Sequence, residues 1–184
     1  MTTEELGRLF PIIISEHDPM WHALYLIEKT NLEQMIGLNN IVRINHYGST
    51  SVPNLYAKPT IDILLEIKND MDTNRIISLL KGIGYNYSPQ PDNPAPHMMF
   101  MKGYTTRGFS GQAYHVHVLY SGDWNELYFR DYLILYPDIL EEYGKLKLQL
   151  NERYEFDREG YTSAKSYFIK KITEQARKEL GERY

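Results

Sequence analysis

HYGSTSVPNLYAKPTIDILLEI spans residues 46–67 and predicts strand, turn and strand in succession near the middle of the first half of the chain. The first strand is expected over residues 41–47 and the second over residues 60–67, with a turn of small residues, Gly48-Ser49-Thr50-Ser51, between them. Alternate residues of a strand face opposite sides of the sheet. One face of the second strand then carries Ile61, Ile63, Leu65 and Ile67. Asp62 stands on the other face as a carboxylate in an apolar strand.

The Gly-Ser turn and the following aspartate resemble the core of the nucleotidyltransferase superfamily. Twelve residues separate Ser49 from Asp62. The resemblance implies that the turn contacts triphosphate oxygens and that the aspartate binds a divalent metal. The chemistry suits these roles, because glycine permits close backbone approach, successive N–H groups bind anions, and a carboxylate binds the metal that bridges phosphates. A Gly-Ser pair alone is also a common turn.

A longer string is more specific. GSTSVPNLYAKPTIDI, residues 48–63, resembles the GrpB family, whose members have the nucleotidyltransferase fold. Further matches follow in order as HVHV at 115–118, FRDYL at 129–133, YGKLK at 143–147, and DRE at 157–159 continuing through Lys165 to Ile169. The resemblance covers most of the chain. It implies the fold directly and an activity only through the superfamily.

Composition limits the classes of function. Lys and Arg number 20 against 24 Asp and Glu, a formal net charge of −4, so nucleic acid is not an expected partner. The chain has no cysteine, which leaves oxygen and imidazole as metal ligands and favours Mg²⁺ or Mn²⁺, or a site that contains histidine. No apolar run reaches the length of a membrane span, and we expect a cytoplasmic protein.

The periodicity of apolar residues predicts an α+β fold in one domain over residues 1–184, with a nucleotidyltransferase-like mixed β-sheet flanked by helices. The sheet-containing part is expected over about residues 1–120 and a helical part over about residues 121–184. Helices are predicted at 19–36, 73–82, 138–154 and 158–180, with another that starts at a capping box of Asp123 and Glu126. Strands at 97–102 and 113–120 are expected to form a hairpin around a polar loop, residues 103–112.

Asp62 is the candidate catalytic residue and a candidate metal ligand. A carboxylate on an apolar strand needs solvent, a cation or hydrogen-bond donors, and a solvated carboxylate is the alternative to a metal ligand. The superfamily has its second carboxylate two residues further on, where this chain has Leu64. Glu66 is on the same face but about 13 Å away at ~3.3 Å per residue, too far to share an ion with Asp62 without a bulge. The missing carboxylate weakens the prediction of two-metal catalysis.

His115 and His117 are further candidate metal ligands. In a strand, the two imidazoles of a His-x-His sequence lie on one face about 6.6 Å apart along the chain, a spacing that allows shared metal binding if a carboxylate faces them. The alternative is that both histidines are satisfied by hydrogen bonds in a polar groove. Local sequence does not encode strand order, so it leaves open whether these residues face Asp62.

Candidate phosphate ligands come from two regions. In the turn region they are Gly48, Ser49, Thr50, Ser51 and Lys58; the alternatives are a capped helical turn and a surface lysine. In the helical part they are Arg130 and Lys165. Lys165 and Asp131 each fall on an apolar helical stripe, where a charge needs a partner. One expectation is that they pair with each other or with Arg130 as a structural clasp. The alternative is that Lys165 and Arg130 bind the phosphates of a ligand.

The leading hypothesis is a protein that binds a nucleoside triphosphate with Mg²⁺ or Mn²⁺ and transfers a nucleotidyl group to an acceptor. The alternative is a non-catalytic module that binds a nucleotide or another anionic ligand, which Leu64 favours. A third reading, a protein that binds partners through its C-terminal helices, leaves the central stretch unexplained. The expected ligand in the first two is a nucleotide or another phosphorylated small molecule.

Overall fold

A five-stranded mixed sheet forms the centre of the computed structural model, which describes residues 2–184. Its strands are β1 (Ile41–Tyr47), β2 (Thr60–Ile67), β3 (Asn86–Pro89), β4 (Met98–Thr105) and β5 (Gly108–Tyr120), in the order β1-β2-β5-β4-β3. Strands β2 and β5 are parallel, and the other neighbours are antiparallel. The predicted α+β class, with a mixed sheet and a C-terminal helical part, is confirmed.

Residues 2–184 also form six α-helices. They are α1 (Thr3–Leu9), α2 (Met20–Ile36), α3 (Thr73–Gly82), α4 (Asn125–Leu135), α5 (Pro137–Tyr154) and α6 (Arg158–Leu180). The isoleucine-rich face of β2 packs in the main core with residues of α2 and α3. The opposite face lies against α4, where Leu64 contacts Leu119 and Leu127. Because both faces are covered, most of β2 is apolar, and its charged residues are Asp62 near the start and Glu66 near the end.

The hairpin differs from its prediction. Residues 103–112 are not a loop, because β4 and β5 continue through them and turn between Thr105 and Gly108. Gly103 has a φ of +88°, and a Cβ there would lie 2.5 Å from the carbonyl oxygen of Gln112 on the partner strand. The polar residues that suggested a loop are the exposed positions of a hairpin that extends beyond the core.

The predicted capping box at Asp123 is also wrong. Helix α4 begins at Asn125 with Trp124 as its N-cap, and no side chain caps it. Asp123 instead pairs with Arg177 of α6 at 2.6 Å, so a contact with a distant helix replaces the local cap. Across residues 2–184, no helix combines the length and apolar composition that a membrane crossing requires.

Candidate functional site

A cleft of about 600 Å³ separates the start of β2 from helices α4, α5 and α6. Its sheet side is lined by Tyr47, Gly48, Ser49, Val52, Lys58, Thr60 and Asp62. Its helical side includes Phe129, Arg130, Leu133, Tyr143, Lys147, Tyr161, Lys165 and Ile169. The volume lies within the range of cavities that hold a nucleotide-sized ligand.

Gly48 and Asp62 are in close contact at the floor of this cleft. Gly48 has a φ of +71° and a ψ of −175°, a conformation that essentially only glycine adopts. A Cβ on this residue would lie 2.5 Å from Oδ2 of Asp62. The turn therefore approaches the carboxylate closely because residue 48 has no side chain.

Strand pairing places the two histidines beside Asp62. Asp62 lies opposite Tyr47 on β1 and opposite His115 on the parallel strand β5, while His117 lies two residues further along β5 on the same face. Nδ1 of His115 is 3.3 Å from Oδ1 of Asp62. One ligand atom from each of Asp62, His115 and His117 lies within 4.8 Å of the others. The fold thus brings the three candidate metal ligands together.

The charge states of His117 and Asp62 suit metal binding. Burial lowers the pKa of His117 to about 4, so its imidazole is neutral at physiological pH. Burial works to raise the pKa of Asp62, but the hydrogen bond and charge of His115, with His117 and Lys58, outweigh it and hold the pKa below its usual value. A neutral imidazole and an ionised carboxylate are the forms that bind metals.

Tyr104 fixes the second nitrogen of His115. The Tyr104 hydroxyl lies 2.7 Å from Nε2 of His115, and the two rings are stacked with centroids 5.6 Å apart. A hydrogen bond to the distal nitrogen orients a histidine ligand and selects its tautomer. Two imidazoles and one carboxylate form a donor set that suits Mn²⁺ or Zn²⁺ better than Mg²⁺, which prefers oxygen ligands.

No second carboxylate on β2 reaches this cluster. Leu64 occupies the position two residues after Asp62 and is 1% exposed. Glu66 is fully buried and paired with Arg43 across β1, and it accepts hydrogen bonds from the Gly122 N–H and from Nε1 of Trp124, both at 3.0 Å. Glu66 therefore has a structural role and does not complete a carboxylate pair with Asp62.

Three lysines face the cleft without a carboxylate partner. Among residues 2–184, neither Lys58, Lys147 nor Lys165 forms an ion pair within 4.0 Å. The ammonium groups of Lys58 and Lys165 lie 5.5 and 4.3 Å from the centre of the Tyr161 ring, and that of Lys147 lies 4.8 Å from the Tyr143 ring. Lys147 donates to the Tyr56 carbonyl. Cation–π contacts of this kind compensate only part of the loss of hydration.

The lysines also repel one another. Burial, with a contribution from Lys58, lowers the pKa of Lys165 to about 7. Burial likewise lowers the pKa of Lys147 far below its usual value, and Lys165 and Lys58 lower it further. The Tyr161 hydroxyl is buried in the described structure and has no hydrogen-bond partner. The cleft therefore holds three lysines whose charged forms are destabilised, and one buried hydroxyl without a partner among the described residues.

Other predicted phosphate ligands are engaged elsewhere. The Thr50 hydroxyl is buried and donates to the Thr60 carbonyl, and that of Ser51 donates to Gly48, so neither side chain lines the cleft. Arg130 lines it, but its guanidinium pairs with Asp131 and donates to the carbonyl of His46 and the hydroxyl of Tyr184. Arg130 and Asp131 form the clasp that was one of two expectations, and Lys165 takes no part in it.

Comparison with known proteins gives the family. The family model described as GrpB protein matches residues 11–175. The chain belongs to the GrpB family. The Glutamate-rich protein GrpB of Alkalihalophilus pseudofirmus is 34% identical over 88% of this chain and 93% of its own length. A UPF0157 protein of Pseudomonas aeruginosa is 36% identical over 86% of this chain.

Solved structures agree with this assignment. The crystal structure of conserved protein GrpB from Enterococcus faecalis has a TM-score of 0.79 and 32% identity, and the match covers 92% of this chain and all of that one. A more distant likeness, with a TM-score of 0.45 and 11% identity, is to Cid1 poly(U) polymerase and is too weak to carry an argument. This chain spans 65% of the Pseudomonas relative and 46% of another curated relative.

Some residues of this GrpB-family cleft were missed from the sequence as site residues. Lys147 and Tyr143 lie one helical turn apart on the same face of α5, inside the YGKLK string that carried the family resemblance. The sequence signal for Lys147 was a lysine among apolar positions of a predicted helix. Tyr104 had none, because it lies in the segment predicted to be a loop.

Proposed function

We propose that this GrpB-family protein binds a nucleoside triphosphate, or a phosphorylated small molecule of similar size, in the cleft together with a divalent cation at Asp62. The observation that carries the proposal is the group of three lysines, Lys58, Lys147 and Lys165, which share one cleft and have no carboxylate partner. An isolated buried charge is costly, and a bound anion removes that cost.

The polyphosphate would lie between the lysines and the turn at Gly48-Ser49. Apolar side chains on the helical side, including Phe129, Leu133 and Ile169, offer a surface for a nucleoside. The Tyr161 hydroxyl gains a hydrogen-bond acceptor when a phosphate oxygen enters the cleft. These features support a ligand with a highly charged part and an apolar part.

The cation would be held by Asp62 with His115 and His117, and it would neutralise phosphate oxygens from the sheet side. The nitrogen-containing donor set favours Mn²⁺ over Mg²⁺, the two ions expected from the sequence. The separate placement of lysines and carboxylate lets the site contact the phosphates from both sides.

Nucleotidyl transfer is the activity that such binding would serve. An acceptor hydroxyl or amine would attack the α-phosphorus, forming a new P–O or P–N bond as the bond to the bridging oxygen breaks and pyrophosphate leaves. The proton of the nucleophile would pass to Asp62 or to water. The second candidate is ligand binding without transfer, and the buried Leu64 at the position of the second carboxylate favours it.

The test is calorimetric titration of wild-type protein, Asp62→Asn and Lys165→Gln with each nucleoside triphosphate, with and without Mn²⁺. We expect metal-dependent binding in the wild type, loss of the metal dependence in Asp62→Asn, and at least a tenfold weaker affinity in Lys165→Gln. Release of pyrophosphate with a supplied acceptor distinguishes transfer from binding alone. Absence of triphosphate binding in the wild type would refute the proposal.

A further inference from the structure

A second cavity, of about 180 Å³, lies beside the cleft and is not used by the function proposed above. Its walls are mostly apolar and come from the N-terminal segment, the start of β2 and the hairpin. They consist of Pro11, Ile13, Pro59, Phe109, Gly111 and Ala113, together with Lys58, Thr60 and Arg158. Lys58 and Thr60 also line the cleft, so the two cavities meet along one segment of chain.

Arg158 gives this cavity a positive charge. Its Nη1 donates to the carbonyl of Phe10 at 3.0 Å, which anchors the side chain at the cavity wall. Within residues 2–184, Arg158 has no carboxylate within ion-pair distance. The adjacent Asp157 instead caps helix α6 by accepting from the Gly160 N–H. A guanidinium held in this way is suited to a carboxylate or a phosphate, which it binds through two parallel hydrogen bonds.

The apolar walls of the cavity indicate what kind of group can lie beside an anion bound to Arg158. Phe109 packs its ring against Phe10 at a centroid distance of 5.2 Å, although 41% of the residue is exposed. Pro59, Ile13 and Ala113 add further apolar surface. The cavity has a volume of about 180 Å³ against about 600 Å³ for the cleft, which suits a molecule smaller than a nucleotide.

We propose that the second cavity is a subsite for a small molecule that has one anionic group, a carboxylate or a phosphate, bound by Arg158 and an apolar body packed against Phe109 and Pro59. Thr60 is two residues before Asp62 on the same face of β2, so this ligand lies next to the phosphates in the cleft. A role of this ligand as the acceptor of the nucleotidyl group rests on the proposed function. Binding of the ligand in the second cavity does not rest on it.

The test uses benzoate and phenyl phosphate as probes, which separate the carboxylate from the phosphate. Each probe is titrated calorimetrically into wild-type protein whose cleft is saturated with Mn²⁺ and ATP, and into Lys165→Gln, in which the cleft is weakened. We expect at least one probe to bind in both samples. Arg158→Gln keeps a donor for the Phe10 carbonyl, and its affinity for that probe should be at least tenfold lower than that of the wild type. The affinity of Arg158→Lys should lie between those of the wild type and Arg158→Gln. Phe109→Ala should weaken binding severalfold.

Three results would overturn the subsite: binding of neither probe, displacement of the bound probe by ATP, or equal affinity in wild type and Arg158→Gln. Triphosphate binding is measured on the same variants and should change less than twofold in Arg158→Gln. A wild-type protein that binds a probe but no triphosphate would refute the proposed function and leave the subsite intact. The two proposals therefore fail separately.

Discussion

Gly48 shows at the scale of one residue how the cleft depends on an absent side chain. Its backbone conformation favours glycine, and its Cα faces the Asp62 carboxylate. Both requirements come from the same position, so a substitution there should affect both stability and the arrangement of Asp62 with His115 and His117.

Gly48→Ala should lower the free energy of unfolding by about 1–3 kcal/mol from backbone strain and should also displace the Asp62 carboxylate. Gly181→Ala is the matched control, because Gly181 has nearly the same conformation, φ +66° and ψ −166°, but open space around its Cα. Urea unfolding and Mn²⁺ titration measure the two effects. Equal Mn²⁺ affinity in Gly48→Ala and wild type would contradict the contact with Asp62.

Lys147 is a buried basic residue without an ionic partner among the described residues. The residue is 2% exposed, and its nearest partners are a backbone carbonyl and an aromatic ring. Replacement of a buried ion pair by apolar side chains of similar size is often stabilising, and an ammonium group without a carboxylate partner loses its hydration with less compensation than such a pair.

Lys147→Met should therefore raise the free energy of unfolding of the ligand-free protein by about 1 kcal/mol and weaken triphosphate binding. Lys145→Met is the control: Lys145 is exposed, pairs with Glu141 at the surface, and should change stability by less than about 0.5 kcal/mol. Urea unfolding with and without ATP measures both. A less stable Lys147→Met with unchanged affinity would show that the lysine is structural.

Strand β2 is the element on which the site depends, because Asp62, Leu64 and Glu66 on one of its faces each make a different kind of contact. Asp62 lies with His115 and His117, Leu64 packs against α4, and Glu66 connects β1 to the segment that leads into α4. Arg43 completes this tie by bonding both to Glu66 and to the carbonyl of Gly122. The far end of the strand thus anchors the helices that form the other wall of the cleft.

Glu66→Gln should lower the free energy of unfolding by about 3 kcal/mol, because Arg43 loses its charge partner while Glu66 sits in a fully buried position. The exposed pair of Arg8 and Glu4 provides the comparison, and Glu4→Gln should cost less than about 1 kcal/mol. Thermal and urea unfolding measure both variants. Similar losses in the two would mean that the buried pair adds nothing specific.

At the scale of the whole molecule, three lysines from different elements converge where sheet and helices meet. Lys58 comes from the sheet side, Lys147 from α5 and Lys165 from α6, and their mutual repulsion is part of the reason that the pKa of Lys165 is about 7. In the unfolded chain this lysine stays protonated to its usual, higher pKa. Between about pH 7 and that value the folded protein binds fewer protons, so the free energy of unfolding should rise with pH in this window.

A bound polyphosphate favours the charged lysine, so binding should take up a proton at pH 8 and much less at pH 6. Calorimetry in two buffers of different ionisation enthalpy measures this uptake. Lys165→Met is the comparison and should remove the part of this uptake, and of the stability gradient above pH 7, that belongs to Lys165. Proton uptake that is the same in both proteins would show that Lys165 does not titrate on binding.

Prediction succeeded where neighbouring residues carry the information. The apolar alternation of β2, the turn at Gly48 and helix α6 are local patterns, and each is present as predicted. It failed at the hairpin and at Asp123, where a distant partner changes the outcome: strand pairing extends β4 and β5, and Arg177 takes the carboxylate from the helix start.

By itself, the sequence determined the strand–turn–strand unit, the α+β class and the presence of a carboxylate near a glycine turn, because these follow from side-chain period and backbone preference. Only the tertiary structure decided that β5 lies parallel to β2, which sets His115 beside Asp62. It also decided that Arg130 is held by Tyr184 while three separate lysines converge on one cleft. These outcomes depend on contacts between residues far apart in the chain, and no local pattern specifies which distant groups meet.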